Sequence, residues 1–314
     1  MRQEPASPIA PPAHAPSTGG TETAQGAWLV FGAALAWSFG GAIARGLETS
    51  DPWTVVAWRS VFAALFLLGF MLWRDGPAGT LRLFRTMGLP GVAVACCFAT
   101  ASISFVVALG HTSVANILLM QAGVPLIAAL LGVVFLSENV DRVTWAAIFA
   151  VISGIAVMVS DSFAASVSFM GDGLALLIAV VFAAATVITR RNAGVRMTPA
   201  VCTGVLIGAV VGLTLSESLA VSGPDLVLLL LFGALNLGLG MALFVTGARL
   251  IPSALAALIS TTEPVLGPVW VWLIHAEVPA PRTLAGGALV FAALIGHILW
   301  QWRKSRRMAL PLPN

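Results

Sequence analysis

The sequence predicts an all-α integral membrane protein whose ten transmembrane helices form two inverted repeats of five. Three observations predict this fold. The chain has 314 residues, of which 59% are hydrophobic and 9% are charged, and its mean hydropathy of +0.97 is too high for a soluble fold of this size. Ten apolar stretches approach the roughly 20 residues that a helix needs to cross the hydrocarbon core of a bilayer. The first five stretches also match the last five in sequence.

The ten stretches are predicted to be helices rather than strands. They are rich in Ala, Leu and Gly, and they lack the alternation of polar and apolar residues that a membrane β-barrel requires. In chain order they lie at about residues 27–46, 53–73, 88–109, 112–136, 143–160, 173–189, 199–216, 226–247, 253–274 and 284–302.

Little of the chain lies outside these stretches. Residues 1–25 combine five Pro with Ala, Ser, Thr and Gly, a composition that predicts a disordered cytoplasmic tail. The first apolar run is long enough to span the membrane, so we expect it to direct insertion itself and not to be a cleaved signal peptide. Residues 161–172 form the predicted linker between the repeats at 27–160 and 173–302, and residues 303–314 form a basic cytoplasmic tail.

The basic residues are distributed by membrane topology and not gathered on a nucleic-acid-binding surface. With the N-terminus placed in the cytoplasm, thirteen of the sixteen Lys and Arg residues fall on the cytoplasmic side. Arg45 and Arg282 then lie outside, and Arg59 lies within a span. This bias predicts a multi-pass protein of the cell inner (plasma) membrane with both termini in the cytoplasm. Its environment is the lipid bilayer, and no nucleic-acid partner is expected.

A duplication relates the two halves. At an offset of 139 residues the same residue type recurs in the pairs Ala115/Ala254, Leu119/Leu258, Pro125/Pro264, Glu138/Glu277 and Thr144/Thr283. At an offset of 145, Ala34 matches Ala179 and Arg45 matches Arg190. Because each half has an odd number of spans, the second half enters the membrane in the opposite sense to the first. Inverted repeats of this kind suit alternating access.

Four stretches resemble a known family, the drug/metabolite transporter superfamily in its ten-helix form with paired EamA domains. They are Trp28 to Arg45, Pro52 to Leu67, Gly110 to Glu138 and Gly247 to Glu277. The order, spacing and duplication of the four stretches together point to this family more specifically than any single stretch does. The resemblance implies secondary transport of a small metabolite, often efflux, without ATP, and it covers nearly the whole chain beyond the N-terminal tail.

Glu263 is the acidic residue that lies deepest in a predicted span. It is about ten residues into the ninth span, or roughly 15 Å from the span's cytoplasmic end at 1.5 Å per residue. An ionised carboxylate at this depth must face protein or water, find a partner, or take up a proton. Glu263 is therefore a candidate for proton coupling or for binding a substrate ammonium group. The alternative is a protonated or hydrogen-bonded packing residue beside Pro264.

Helical spacing places Ser260, Glu263 and Trp270 on one stripe, together with Ala256 and Gly267. The offset of 139 puts Gln121 at the position of Ser260, with Asn116 one turn further toward the outside. We expect these polar residues to line a central cavity. The alternative is a stripe of small residues that serves close helix packing.

The remaining candidates are a cation and several indoles. Arg59 could hold a substrate carboxylate, pair with Glu263 or bond helix-end carbonyls, and its depth of about 9 Å also allows it to snorkel to the interface. In the resemblance, a basic residue follows the Pro of this helix. Trp37 and Trp270, and also Trp58, lie deep enough to stack on a planar or cationic substrate. Asn236 is expected to serve close packing.

Four residues have an expected structural role. Pro125 and Pro264 each remove one backbone hydrogen bond from their helix and free a carbonyl. Glu138 and Glu277 lie at span ends on opposite sides of the membrane. We expect each of the two to cap the following helix or to pair with the arginine four or five residues later, Arg142 and Arg282 respectively.

The sequence offers no sign of an enzyme, a metal site or a cofactor. The cysteines Cys96, Cys97 and Cys202 and the histidines have no ligand spacing. Phosphate-binding, nucleophile-elbow and HExxH motifs are missing. We therefore predict a secondary transporter, an exporter, of a small polar or amphiphilic metabolite such as an amino acid, driven by protons or exchange. A lipid-handling flippase or a non-transporting membrane scaffold is the alternative. The sequence leaves the oligomeric state open between a monomer and a homodimer.

Overall fold

A computed structural model of the protein describes residues 19–136, 142–164, 169–192, 194–247, 250, 259–260 and 262–308. These residues form helices and the turns between them, with no β-strand among them. The helices are α1 (Gly19–Ser38), α2 (Gly40–Arg45), α3 (Pro52–Thr86), α4 (Gly88–Leu109), α5 (Val114–Gln121), α6 (Val124–Leu136), α7 (Arg142–Ala164), α8 (Phe169–Arg191), α9 (Thr198–Leu215), α10 (Gly223–Leu230), α11 (Gly240–Gly247), α12 (Thr262–His275) and α13 (Pro281–Met308). Between α10 and α11 the chain continues as a π-helical segment, Leu231–Leu239.

Helices occupy all ten predicted spans. Six helical stretches of the described chain are long and apolar enough to cross a membrane, and α5 with α6, bent by 42° at their junction, make a seventh. α7, α12 and α13 occupy the other three positions, although the first part of the ninth predicted span lies outside the described residues. The protein is thus an all-α, multi-pass membrane protein.

Several helix ends differ from the predicted ones. Helix α1 begins at Gly19 and α13 continues to Met308, so each extends from an apolar span into residues that we expected to be tail. Once a span has formed a helix, each added residue gains a hydrogen bond at little further cost. Helix α3 runs on to Thr86 through a kink at Gly76, which has φ +69°, a left-handed conformation that suits glycine.

The packing of the helices repeats between the two halves. Helix α4 packs on α8 as α11 packs on α1, and α4 packs on α9 as the π-helical segment packs on α3. Helices α5 and α6 pack on α8 as α12 packs on α1 and α2. Three further contacts, α3 with α9, α5 with α12 and α7 with α13, join equivalent helices directly. This pattern is unchanged when the halves are exchanged, as two inverted repeats require.

Glycines bring the helices of the two halves into backbone contact. A Cβ on Gly212 of α9 would lie 2.4 Å from the amide nitrogen of Ala57 in α3, and a Cβ on Gly233 would lie 2.4 Å from the carbonyl oxygen of Arg59. Apolar helices have little hydrophobic reason to associate within lipid. Close approach at small residues supplies van der Waals contact instead.

The helix ends near Arg45 are held by carboxylates, and we call this end of the bundle the Arg45 end. Asp51 caps α3, where its side chain accepts hydrogen bonds from the amides of Trp53 (3.1 Å) and Thr54 (3.0 Å) and from the Thr54 hydroxyl (2.6 Å). Burial raises the pKa of Asp51, but these bonds together outweigh it, so the pKa lies below its ordinary value. The buried Asp225 accepts the amides of Glu48 and Thr49, both at 3.0 Å.

Candidate functional site

The helical hydrogen-bond pattern of the first span is broken at one residue, Phe39, although its backbone stays helical (φ −77°, ψ −10°) and Ala24–Arg45 form one continuous span. Helix α1 ends at Ser38 and α2 begins at Gly40, and Asn236 of the π-helical segment lies against this break. The Asn236 side-chain amide donates to the carbonyls of Ala36 (2.7 Å) and Trp37 (3.1 Å). π-Helical turns are frequent at functional sites. We expected Asn236 to serve close packing, and in the structure it is a buried hydrogen-bond donor to the first span.

Helix α12 packs against the same break from the other side. The indole nitrogen of Trp270 donates to the hydroxyl of Ser38 at 3.0 Å, and its ring stacks on Phe39 with centroids 4.9 Å apart. One turn earlier, a Cβ on Gly267 would lie 2.2 Å from the side chain of Leu118 in α5. Trp270 is therefore engaged with protein in this structure.

The fourth span is also interrupted, at Ala122 and Gly123 between α5 and α6. Pro125 lies in the first turn of α6, directly after the 42° bend, instead of in the middle of a continuous helix. The carbonyl of Gln121, four residues earlier, cannot receive a helical hydrogen bond, because Pro125 has no N–H. The side-chain amide nitrogen of Gln121 is buried and has no hydrogen-bond partner.

Glu263 lies in the first turn of α12, followed by Pro264. Its side chain is half-buried. Glu263 forms no hydrogen bond and no ion pair with a described residue. Since α5 and α12 are antiparallel neighbours in contact at Leu118 and Gly267, one further turn along each helix reaches Gln121 and Glu263. The two residues thus occupy the same depth, next to the breaks. Ser260 is half-buried, in a helical turn one turn before Glu263.

Arg59 is buried inside the bundle and does not snorkel. It is 6% exposed, and its guanidinium lies 4.3 Å from the ring centre of Phe232 and 5.5 Å from that of Phe105. One terminal nitrogen donates to the hydroxyl of Ser102 at 3.0 Å, while Nε has no partner. Arg59 and Glu263 do not form an ion pair in the structure.

Glu277 joins the two halves at the Arg45 end. One carboxylate oxygen accepts from Nε of Arg45 at 2.8 Å, and the other accepts from the amide of Val114, the first residue of α5, at 3.1 Å. Glu277 therefore caps a helix of the other half, not the following one, and it does not pair with Arg282. Ala276 explains the difference, because its φ of +55° turns the chain after α12 and reorients the next side chain. Glu138 lies outside the described residues.

Asn116, which we expected to line a central cavity, is hydrogen-bonded to protein in the structure. It is buried, and its side-chain amide donates to the carboxylate of Asp172 in α8 and to the hydroxyl of Thr112 at 3.1 Å. This contact belongs to the network at the Arg45 end, where His275 of α12 also bonds the carbonyl of Ala42 at 2.8 Å. Sequence reasoning missed Asp172, His275 and their roles.

Two of the deep indoles are held in different ways. The indole nitrogen of Trp58 donates to the carbonyl of Leu219 at 3.1 Å, beyond the end of α9, which makes Trp58 a poor candidate for stacking on a substrate. The indole nitrogen of Trp37 is buried without a partner and faces Gly240, where a Cβ would come within 2.2 Å of it. The indole N–H of Trp37 thus lies beside the break without a hydrogen-bond acceptor.

An apolar groove of about 410 Å³ lies close to this region. It is bounded by α5, α12 and α13, with Leu119, Pro264, Trp272 and Phe291 among its lining residues. Its apolar walls can take a hydrocarbon group but offer no charged or polar recognition. In the described part of the chain, no three His, Cys, Asp or Glu side chains lie close enough to hold a metal ion.

Polar groups without a described partner therefore lie beside these two breaks. Glu263 supplies a carboxylate, Gln121 an unpartnered amide donor and a free carbonyl, and Trp37 an unpartnered indole donor. Arg59 lies apart, with a cation that no described carboxylate neutralises. Such groups can bind a small molecule that carries both charge and hydrogen-bonding atoms.

Comparison with known proteins identifies the fold. The family model described as the EamA-like transporter family matches residues 24–160 and 169–299. A crystal structure of a protein that is 18% identical in sequence aligns with a TM-score of 0.64, over 87% of this chain and 96% of the other, and at this identity the similarity concerns the fold alone. A comparison with curated proteins found no match.

Proposed function

Because the chain belongs to the EamA-like transporter family and is a transporter of the drug/metabolite type, we propose that it exports a small zwitterionic metabolite, such as an amino acid, by alternating access. The mechanism proposed is a rocking of the two inverted halves about the region that contains Gln121, Glu263 and the break in the first span. Proton coupling or exchange supplies the drive, and Glu263 changes its protonation or its partner between the two states.

The observation behind this proposal is a pair of opposite charges without partners inside the spans. Arg59 belongs to the first half and Glu263 to the second, and neither forms an ion pair with a described residue. Charged groups within a membrane are costly unless they serve a substrate or ion pathway. A substrate ammonium group would complement Glu263, and a substrate carboxylate would complement Arg59.

We also propose how the protein is oriented in the membrane and which partners it has. The excess of Lys and Arg in the loops on one side favours cytoplasmic termini in the inner (plasma) membrane. The Arg45 end would then face outward. The proposed partners are the substrate and lipid, with no role for nucleic acid, catalysis or a cofactor.

The apolar groove beside Pro264 favours a second candidate, the handling of a lipid or another amphiphile. A groove at the bilayer side of the bundle would accept an acyl chain while a polar headgroup approached Glu263. This candidate predicts transfer of labelled phospholipid between leaflets. The first candidate predicts movement of water-soluble compounds.

The test is efflux from proteoliposomes loaded with an isotope-labelled mixture of the twenty amino acids, followed by mass spectrometry. We expect at least one amino acid to leave faster than from protein-free liposomes, with a rate that depends on the pH gradient. In Glu263→Gln the pH dependence should disappear, while Glu217→Gln, a change at an exposed acid, should retain it. Arg59→Gln should lose flux and the exposed Arg74→Gln should not. Efflux equal to that of empty liposomes would refute the amino-acid proposal.

A further inference from the structure

The contact between Arg45 and Glu277 crosses the boundary between the two repeats. Arg45 belongs to the first matched segment and Glu277 to the second. Besides the 2.8 Å bond to Glu277, Arg45 donates to the carbonyls of Leu109 (2.7 Å) and Thr112 (3.1 Å). One guanidinium therefore binds the end of α4, the turn before α5 and the end of α12 at once.

Two more contacts between the halves lie at this end. His275 bonds the carbonyl of Ala42, which ties α12 to α2, and Asn116 bonds Asp172, which ties α5 to α8. Together these contacts join the helices of the two halves at the Arg45 end, above Trp270.

The ion pair between Arg45 and Glu277 can separate at a small cost in free energy. The side chains of Arg45 and Glu277 are 31% and 25% exposed, so water can solvate both charges when the contact opens, and desolvation does not lock them together. Each follows an irregular position in its helix. Arg45 follows the break at Phe39, and Glu277 follows the proline Pro268 within α12.

The ion pair between Asp75 and Arg196 has a similar exposure, 18% and 30%, but lies elsewhere in the bundle. It joins α3 to the turn before α9, at the opposite end of the bundle, at 2.9 Å. Helices α3 and α9 also pack through Gly212, close to the Arg45 end, so they are in contact along their length. That helix pair is suited to act as a fixed axis and not as a gate.

We infer that Arg45 and Glu277 form the gate of the transporter at the Arg45 end, and that their contact must break for the region around Gln121 and Glu263 to open there. The inference rests on the proposed transport function. The sequence repeat places Arg190 and Glu138 at the equivalent positions.

The gate is tested by the accessibility of a cysteine reporter, which needs no substrate. Cys96, Cys97 and Cys202 are replaced by alanine, Gln121→Cys is introduced, and a membrane-impermeant maleimide is applied to the side of the membrane on which the Arg45 end lies. In Glu277→Ala the labelling rate should rise by about twofold to fivefold, the factor by which loss of a partly exposed ion pair shifts a two-state equilibrium. The matched control Glu217→Ala removes an exposed acid beyond the end of α9 and should leave the rate unchanged.

A second substitution separates the gate from a simple helix cap. Glu277→Gln retains an oxygen for the amide of Val114 but loses the charge that Arg45 binds. A gate predicts faster labelling in Glu277→Gln and also in Arg45→Gln, which serves as the second variant if Glu277→Ala does not fold. Rates equal to the control in both Gln variants would overturn the gate and leave Glu277 as a cap.

The gate proposal and the substrate proposal can be refuted independently of each other. Faster labelling in the gate variants without amino-acid efflux would support the gate and refute the substrate class. Efflux in the parent protein with unchanged labelling in all gate variants would refute the gate and leave the transport proposal standing.

Discussion

Replacement of Gly212 by alanine tests the contact between equivalent helices of the two halves. The added Cβ would lie 2.4 Å from the amide nitrogen and 2.7 Å from the Cα of Ala57, and 3.0 Å from the carbonyl oxygen of Trp53. These are backbone atoms, which cannot rotate away. Because ordinary contacts of a Cβ begin at 3.4 Å, α3 and α9 would have to separate by about 1 Å.

Overpacking of this kind costs about 1–3 kcal/mol. At about 2 °C per kcal/mol for a protein of this size, the apparent unfolding temperature in detergent should fall by about 2–6 °C. The assay is the loss of the monodisperse peak in size-exclusion chromatography after heating. The matched control is Gly69→Ala in α3, where the new Cβ meets no atom within 4 Å and the gain in helix propensity is the same. Equal unfolding temperatures for the two variants would show that the helices do not pack at Gly212.

Three further substitutions test the carboxylates and the break in the first span. Asp225→Asn loses one of two acceptors for backbone amides and should cost about 1–3 kcal/mol, seen as a lower unfolding temperature than that of Glu217→Gln. Asp51→Ala loses the cap of α3, at about 1 kcal/mol. Since the pKa of Asp51 is lowered, this loss should be full above about pH 4 and vanish as the pH falls through the lowered pKa, and a pH-independent difference would contradict the capping role. Asn236→Asp removes the amide that binds two carbonyls at the break and should abolish amino-acid efflux, whereas Asn192→Asp, whose side chain bonds only its own helix, should retain it.

The spans could be predicted because each depends on a local property, the length of an apolar run. The repeat predicted two equivalent halves through matched residues such as Pro125 and Pro264, but it did not predict which helices pair across the halves. The breaks were harder to predict. A proline indicates a missing hydrogen bond, but whether the helix bends before or after it depends on neighbours such as Val151, which packs against Gly123.

The polar contacts of the site were predicted less well, because most of them join residues far apart in the chain. The spacing from Glu277 to Arg282 favoured a local pair, and no local signal indicated that Arg45, 232 residues away, is the partner. We predicted that Asn116 lines the cavity because of its position in the repeat. The repeat gave no indication that the carboxylate of Asp172 would bind its side chain. Asp225 was not singled out from the sequence, although it follows Ser222 and Pro224 at the start of an apolar run, which is the pattern of a helix N-terminus.

Alternating access is the central claim, and the most direct measurement is the accessibility of one position from both sides of the membrane. The cysteine-free protein with Gln121→Cys is reconstituted in liposomes and exposed to an impermeant thiol reagent, either outside or trapped in the lumen. The account predicts labelling from each side in turn. Labelling from one side only, or from neither, would contradict it.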